Sequence, residues 1–177
     1  MSRTVISLII LAAVGLGLLA GSLAGTGGWK LYVLAAIGLI FLCALVFHFL
    51  DLRKNPGRAE GKLLPILAAG VAGIAATWAS RTILGLDACV ASGLVGLLAA
   101  LFLPGNLAAT AYAASFAGMS SSTILADLPM VFCTGVLVGV IFYLVQPVYE
   151  GFGGKLGTIA AAAVLATAFI FRILGGM

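Results

Sequence analysis

A chain of 177 residues that is 63% hydrophobic and only 8% charged has too little polar surface to cover a water-soluble domain. The formal net charge of +4 is no argument for nucleic acid as a partner, because no soluble basic face exists to present it, so the lipid bilayer is the expected surrounding. Barrel strands would alternate polar and apolar residues, whereas these runs are continuously apolar, which predicts an all-α fold.

Six stretches are long and apolar enough to form transmembrane helices, which need about 20 residues each. They leave almost no room for an extramembrane domain. We therefore predict a polytopic integral membrane protein with one transmembrane domain over residues 1–177. The six stretches are 4–24, 29–50, 63–84, 86–103, 130–149 and 156–173.

Small residues recur every four positions along the first stretch, which is typical of close helix packing in membranes. We expect an internal contact with a neighbouring helix here. An interface with a second copy or a partner subunit is the alternative. The residues are Ala13, Gly17, Gly21 and Gly25, and a shorter version is Gly135 with Gly139.

One connection, residues 51–62, is strongly hydrophilic and carries Arg53, Lys54, Arg58 and Lys62. Because basic residues concentrate in cytoplasmic loops, we expect this loop and the N-terminus in the cytoplasm, in a cell inner (plasma) membrane.

Cys43, Cys89 and Cys133 lie inside apolar runs without metal-ligand spacing. We interpret them as small buried apolar residues, and we predict no metal site and no cofactor.

Two opposite charges, Arg81 and Asp87, flank a short turn after the third stretch. We expect them to pair at the outer surface, with Gly85 favouring a simple turn between them.

A polar segment at 105–128 departs from the pattern of the other stretches. Gly118 and the following serines interrupt it, and serines compete with helix hydrogen bonds through their side chains. The segment is predicted to be a broken or re-entrant seventh element, or alternatively a seventh span.

Broken helices within a membrane are tolerated where they line a cavity, so this segment is the predicted site, near the bilayer midplane. Asp127 also has a structural interpretation, as the acid that precedes a helix beginning with proline. The first-choice residues are Ser120, Ser121, Ser122, Thr123 and Asp127, and further candidates are Tyr112, Ser115 and Lys155.

A weak internal repeat aligns "GLVGLLAALFLP" at 93–104 with "VLVGVIFYLVQP" at 136–147. Each is followed by a glycine-containing turn and an alanine-rich stretch, and chance recurrence of these common residues is an equal alternative. Duplications of this kind are frequent in transporters. Lys155 follows the second turn, which is expected to be a flexible connection rather than an anion-binding loop.

The sequence favours a small transporter or channel for a small solute or ion, and a small solute is the expected ligand. The alternative is a non-transporting membrane subunit or scaffold that docks a larger complex, and a homo-oligomer is open in either case. The sequence contains no adjacent nucleophile and base and no paired acids, so we do not expect an enzyme.

Overall fold

The computed structural model describes residues 9–10, 12–13, 15–17, 20–21, 27–54, 61–149 and 154–175. Every regular element in these ranges is α-helical and none is a strand, which confirms the all-α prediction. The helices are α1 (Trp29–Lys54), α2 (Leu63–Thr82), α3 (Ala88–Phe102), α4 (Gly105–Gly118), α5 (Leu128–Tyr149) and α6 (Lys155–Ile173). The described residues between positions 9 and 21 are helical as well.

Three helices of the described part are long and apolar enough to cross a membrane: α2, residues Leu128–Gln146 of α5, and α6. Large apolar side chains lie on the helix surfaces, with Phe102 77% and Phe169 65% exposed. Apolar surface of this kind is costly in water but is matched by lipid chains. The chain is therefore membrane-embedded, whereas the predicted count of six spans is not confirmed by these three helices.

The chain divides into two compact units. The first comprises Met1–Arg58 with Val145–Glu150, and it contains α1. The second, which we call the main bundle, comprises Ala59–Leu144 with Gly151–Met177, and it contains α2, α3, α4, α6 and most of α5. Helix α1 extends to Lys54, into the predicted loop 51–62, and residues 55–60 lie outside the described ranges.

Helix α4 occupies the centre of the main bundle, where it packs against α2, α3 and α6. Its start lies beside the start of α2, since Asn106 and Lys62 line one cavity. Its end lies beside the end of α2, since Arg81 bonds to the carbonyl of Gly118. Helices α2 and α4 are therefore parallel, and α3 returns between them. The re-entrant arrangement is not confirmed, because the two ends of α4 lie at opposite ends of α2.

Glycines allow the helix backbones of the main bundle to touch. A Cβ atom added to Gly135 would lie 2.8 Å from Val71 Cα, and one added to Gly139 would lie 2.9 Å from Leu67 Cα. A Cβ added to Gly73 would overlap the backbone of Ala111 in α4. The predicted small-residue contact of Gly135 and Gly139 is thus present, between α2 and α5 running in opposite directions.

The strip on the first stretch is different. Ala13, Gly17 and Gly21 are exposed, and a Cβ added to either glycine would meet no heavy atom within 4 Å. Gly25 lies outside the described residues. The expected internal contact is therefore not found at Gly17 and Gly21, and the subunit-interface alternative stays a prediction.

Prolines fix where the helices of the hairpins begin. Pro104 favours an extended conformation in the residue before it, and Leu103 accordingly ends α3 with φ −114° and ψ 148°. Pro129 lies in the first turn of α5, where its missing N–H costs nothing. Helix α4 therefore begins immediately after Pro104 and leaves only a tight corner between α3 and α4.

The expected burial of the cysteines is wrong for Cys43 and Cys89, which are exposed on helix surfaces. Cys133 is partly buried, and all three are free thiols. A membrane helix that is apolar on every side places small apolar residues toward lipid as readily as toward protein.

The two copies of the internal repeat lie in equivalent hairpins. Helices α3 and α4 form the first, and α5 and α6 form the second. Each is joined by paired hydroxyls: Ser92 Oγ lies 2.8 Å from Ser115 Oγ, and Thr134 Oγ1 lies 2.9 Å from Thr167 Oγ1. The copies differ at their prolines, because Pro104 follows α3 whereas Pro147 lies within α5.

Candidate binding site

The hydroxyl-rich segment divides into two parts at Gly118. Up to that residue it is the regular helix α4, and its buried hydroxyls are satisfied within the protein. Thr110 donates to the carbonyl of Asn106 at 2.7 Å, and Ser115 donates to that of Tyr112 at 2.8 Å. These two hydroxyls of α4 therefore bond within their own helix, and the predicted site near the bilayer midplane stays a prediction.

Tyr112 and Ser115 belong to that packing. The Tyr112 ring lies against Gly96 of α3, where an added Cβ would approach within 2.5 Å of its Cδ2. It also stacks at a tilt on Phe116, with 4.5 Å between ring centroids. Ser115 is fully buried and bonded to Ser92. The structure therefore places both candidates in the α3–α4 contact.

The second part, residues 119–127, is a non-helical connection to α5. The break predicted at Gly118 and the serines is thus present, but at the end of the bundle. Arg81 in the last turn of α2 fixes the connection, because its Nη1 donates to the carbonyls of Gly118 at 3.0 Å and Ser120 at 2.7 Å. The Gly118 carbonyl ends α4 and the Ser120 carbonyl lies just after it, and without Arg81 these carbonyls would need water.

A cavity of about 380 Å³, which we call the Arg81 cavity, opens between this connection and the α2–α3 turn. Two of the predicted site residues, Ser120 and Ser122, line this cavity. The other residues of its lining were not predicted as site residues. The lining combines charged and hydroxyl-bearing residues with the apolar residues Trp78, Leu86 and Leu125. The complete lining is Trp78, Arg81, Thr82, Leu86, Asp87, Ala88, Ser120, Ser122 and Leu125.

The two charged residues of the cavity do not pair with each other, which corrects the expected Arg81–Asp87 ion pair. Asp87 is the N-cap of α3, and its Oδ1 accepts from the backbone N–H of Cys89 at 2.8 Å. Gly85 makes the sharp turn before it with φ +67°, a conformation that favours glycine. Arg81 is engaged by backbone carbonyls instead, so both charges remain available to a ligand.

Arg81 keeps donors that no protein group in the described ranges accepts from. Its hydrogen bonds to Gly118 and Ser120 both use Nη1. The Nε and Nη2 atoms of a guanidinium form a planar fork that fits a carboxylate or a phosphate. The carbonyls thus hold Arg81 in position while part of its donor fork stays free.

The other predicted site residues lie outside this cavity. Ser121 and Thr123 are exposed, with 2.6 Å between their hydroxyl oxygens. Asp127 precedes α5, and its carbonyl accepts from the N–H of Val131, in agreement with its helix-start interpretation. Lys155 is the first residue of α6, after Gly154 with φ +80°. None of these four residues is part of the cavity lining to which Ser120 and Ser122 belong.

No group of three or more His, Cys, Asp or Glu side chains within the described ranges could hold a metal ion.

Taken with the apolar helices, this geometry defines the class of the molecule: a membrane-embedded protein, helical in its described residues, with a cavity lined by charged, hydroxyl and apolar residues at an end of the main bundle. No family model matches the chain, and no curated protein or solved structure resembles it closely enough to count as a match.

Proposed function

We propose that this protein is a small transporter, in the inner (plasma) membrane, that recognises a small polar solute at the Arg81 cavity and moves it across the bilayer. The observation that carries the proposal is an arginine at the end of an apolar helix that keeps part of its donor fork free. Ionisable residues of membrane helices are costly and typically mark substrate pathways. If Arg81 served only to stabilise the fold, its two hydrogen bonds to carbonyls would be sufficient.

Passage across the bilayer requires a conformational change, because the buried hydroxyls of α4 bond to protein groups. The α2–α4 contact is suited to a change of this kind. It is formed by Gly73 against Ala111 and by Gly118 against Thr77. Small residues form both of these contacts, and packed helices can slide past one another in shear motions. We propose that α4 moves relative to α2 when the cavity is loaded.

The proposed orientation follows from the basic loop. Lys62 lies at the end of the main bundle opposite Arg81, and Arg53, Lys54 and Arg58 precede it in sequence. By the positive-inside rule this end faces the cytoplasm. The Arg81 cavity then opens at the outer face, so solute is captured from outside or released there.

The chain offers a matched pair of variants to test the proposal. Ser120→Ala with Ser122→Ala removes two hydroxyls that line the cavity and keeps the Ser120 carbonyl bound by Arg81. Ser121→Ala with Thr123→Ala removes two hydroxyls from the same connection outside the cavity. In proteoliposomes loaded with labelled small polar solutes, we expect the first pair to slow flux at least tenfold and the second to leave it unchanged. Equal flux in both pairs, or no flux of any solute with wild type, contradicts the proposal.

A second candidate, a non-transporting membrane subunit, is favoured by one observation. Gly17 and Gly21 are exposed on an apolar helix with no atom within 4 Å of an added Cβ, so that strip is free to receive another helix. Such a subunit would copurify with a second membrane protein at fixed stoichiometry, and Gly17→Leu with Gly21→Leu would release it. Purification of the chain alone, with solute flux retained, excludes this candidate.

A further inference from the structure

The Arg81 cavity contains one positive and one negative side chain that are not bonded to each other. Arg81 is held by the carbonyls of Gly118 and Ser120, and Asp87 by the N–H of Cys89. Both side chains line the same cavity of about 380 Å³. Because each charged side chain is bonded to backbone groups and not to the other, the two together complement a molecule that carries both charges.

We propose that the solute is a small zwitterion of the α-amino acid type, with its carboxylate on Arg81 and its ammonium group on Asp87. This inference rests on the proposed function, because it takes the Arg81 cavity as the recognition site. It adds the chemical class of the solute, which the proposed function leaves open.

The hydrogen-bonding capacity on each side fits this ligand. The free Nε and Nη2 donors of Arg81 match the two oxygens of a carboxylate. A carboxylate accepts at both oxygens, so Asp87 retains Oδ2 after Oδ1 has bound the N–H of Cys89. The ring of Trp78 also lines the cavity, and an aromatic face attracts an ammonium group.

A ligand with a single charge fits less well. An anion would bind Arg81 but would be repelled by Asp87. A cation would bind Asp87 but would be repelled by Arg81. Like charges brought together suppress binding of the wrong ligand. The cavity volume lies at the lower end of the roughly 300–1,000 Å³ usual for small-molecule sites, which is enough to hold a free amino acid.

Asp87→Asn is the decisive variant, because asparagine caps a helix about as well as aspartate. The variant therefore keeps the α3 cap and removes only the charge. Arg172→Gln is the control, since it removes an exposed arginine in the last turn of α6, outside the cavity lining. Binding is measured calorimetrically on purified full-length protein in nanodiscs, with glycine, alanine and serine as zwitterions and with acetate and methylammonium as their single-charge fragments.

We expect at least one of these amino acids to bind, about tenfold or more tighter than either fragment, since a hydrogen bond to a charged group contributes on the order of one to two decades in affinity. Asp87→Asn should weaken amino acid binding by a similar factor and leave the weak binding of acetate unchanged or improved. Arg172→Gln should change neither.

Two results overturn the inference. In the first, acetate or methylammonium binds as tightly as the amino acids, and Asp87→Asn does not change amino acid binding. In the other, none of the three amino acids binds. If a different solute is still transported and the Ser120/Ser122 pair still slows it, the zwitterion inference fails while the proposed transport function stands. If amino acids bind in this manner but cross the bilayer no faster than through empty liposomes, the ligand class stands and transport fails.

Discussion

Arg81 and Ser120 form the contact that positions the candidate site, with Arg81 Nη1 donating to the Ser120 carbonyl at 2.7 Å. The contact joins α2 to the connection after α4, and a second bond to Gly118 at 3.0 Å accompanies it. Ser120 and Ser122 of this connection line the cavity together with Leu86 and Asp87 of the α2–α3 turn.

Replacing Arg81 with alanine should loosen this connection. Two carbonyls lose a charged donor, and hydrogen bonds to charged groups contribute about 1.5–3 kcal/mol each. Partial exposure of the side chain and access of water to the carbonyls reduce the loss, so we expect a decrease in unfolding free energy of about 1–2 kcal/mol. The measurement is thermal unfolding in detergent, with Arg172→Ala as the control. Equal unfolding temperatures for the two variants would show that the bonds contribute nothing.

A methyl group at Gly73 should disrupt the bundle centre, because it would overlap the Ala111 backbone. Overpacking of this kind costs typically about 1–3 kcal/mol. Gly93→Ala is the matched change, since a Cβ there meets nothing within 4 Å and alanine is the better helix former by about 0.8–1 kcal/mol. Denaturant unfolding in micelles should show Gly73→Ala destabilised and Gly93→Ala equal to or above wild type. Destabilisation by both to the same extent would refute the close α2–α4 contact.

The Ser92–Ser115 hydroxyl pair should contribute modestly to the α3–α4 hairpin. Interhelical hydrogen bonds in membrane proteins average about 0.6 kcal/mol in double-mutant cycles. Ser92→Ala, Ser115→Ala and the double variant should therefore give a coupling free energy of about that size. A coupling of zero would mean that the bond of Ser115 to the Tyr112 carbonyl is the only one that matters.

The Asp87 cap should tolerate asparagine but not alanine. Loss of an N-cap acceptor costs typically about 1 kcal/mol, so Asp87→Ala should lower the unfolding free energy by about that amount while Asp87→Asn stays near wild type. Thermal unfolding of the two variants in the same detergent compares them directly. If the two variants lose the same stability, Asp87 stabilises the protein through its charge and not through the α3 cap.

Helix α4 should cross the membrane. Asn106 lies near its start and Ser121 just after its end, and both are exposed. In a background with the native cysteines replaced by alanine, Asn106→Cys should react with an impermeant thiol reagent from one side of sealed vesicles and Ser121→Cys from the other. Labelling of both from the same side would restore the re-entrant arrangement.

Helix positions were predictable from the sequence because continuous apolarity and prolines mark them directly. Predicted and observed starts agree at residue 63 for α2, and the predicted end at residue 173 agrees for α6. The break after Gly118 was predictable for the same reason, since glycine and consecutive serines are poor continuations of a helix.

The location of the site was not predictable, because it depends on which atoms meet in three dimensions. Ser120 to Thr123 form one cluster in the sequence, whereas only Ser120 and Ser122 of these four line the cavity. The spacing of Arg81 and Asp87 predicted an ion pair, although carbonyls 37 and 39 residues away bind Arg81 instead. The hydroxyls of Thr110 and Ser115 looked available in the sequence, but a helix satisfies them locally.

The central claim, that a small solute occupies the Arg81 cavity, is tested most directly by protection from chemical modification. Ser122→Cys places a thiol on the cavity wall, and Ser121→Cys places one on the same connection outside it, each in the cysteine-free background. We predict that saturating glycine, alanine or serine slows modification of the Ser122→Cys variant by a small thiol reagent at least fivefold and leaves the Ser121→Cys variant unaffected. Equal modification rates with and without each of these solutes, in both variants, would contradict the account.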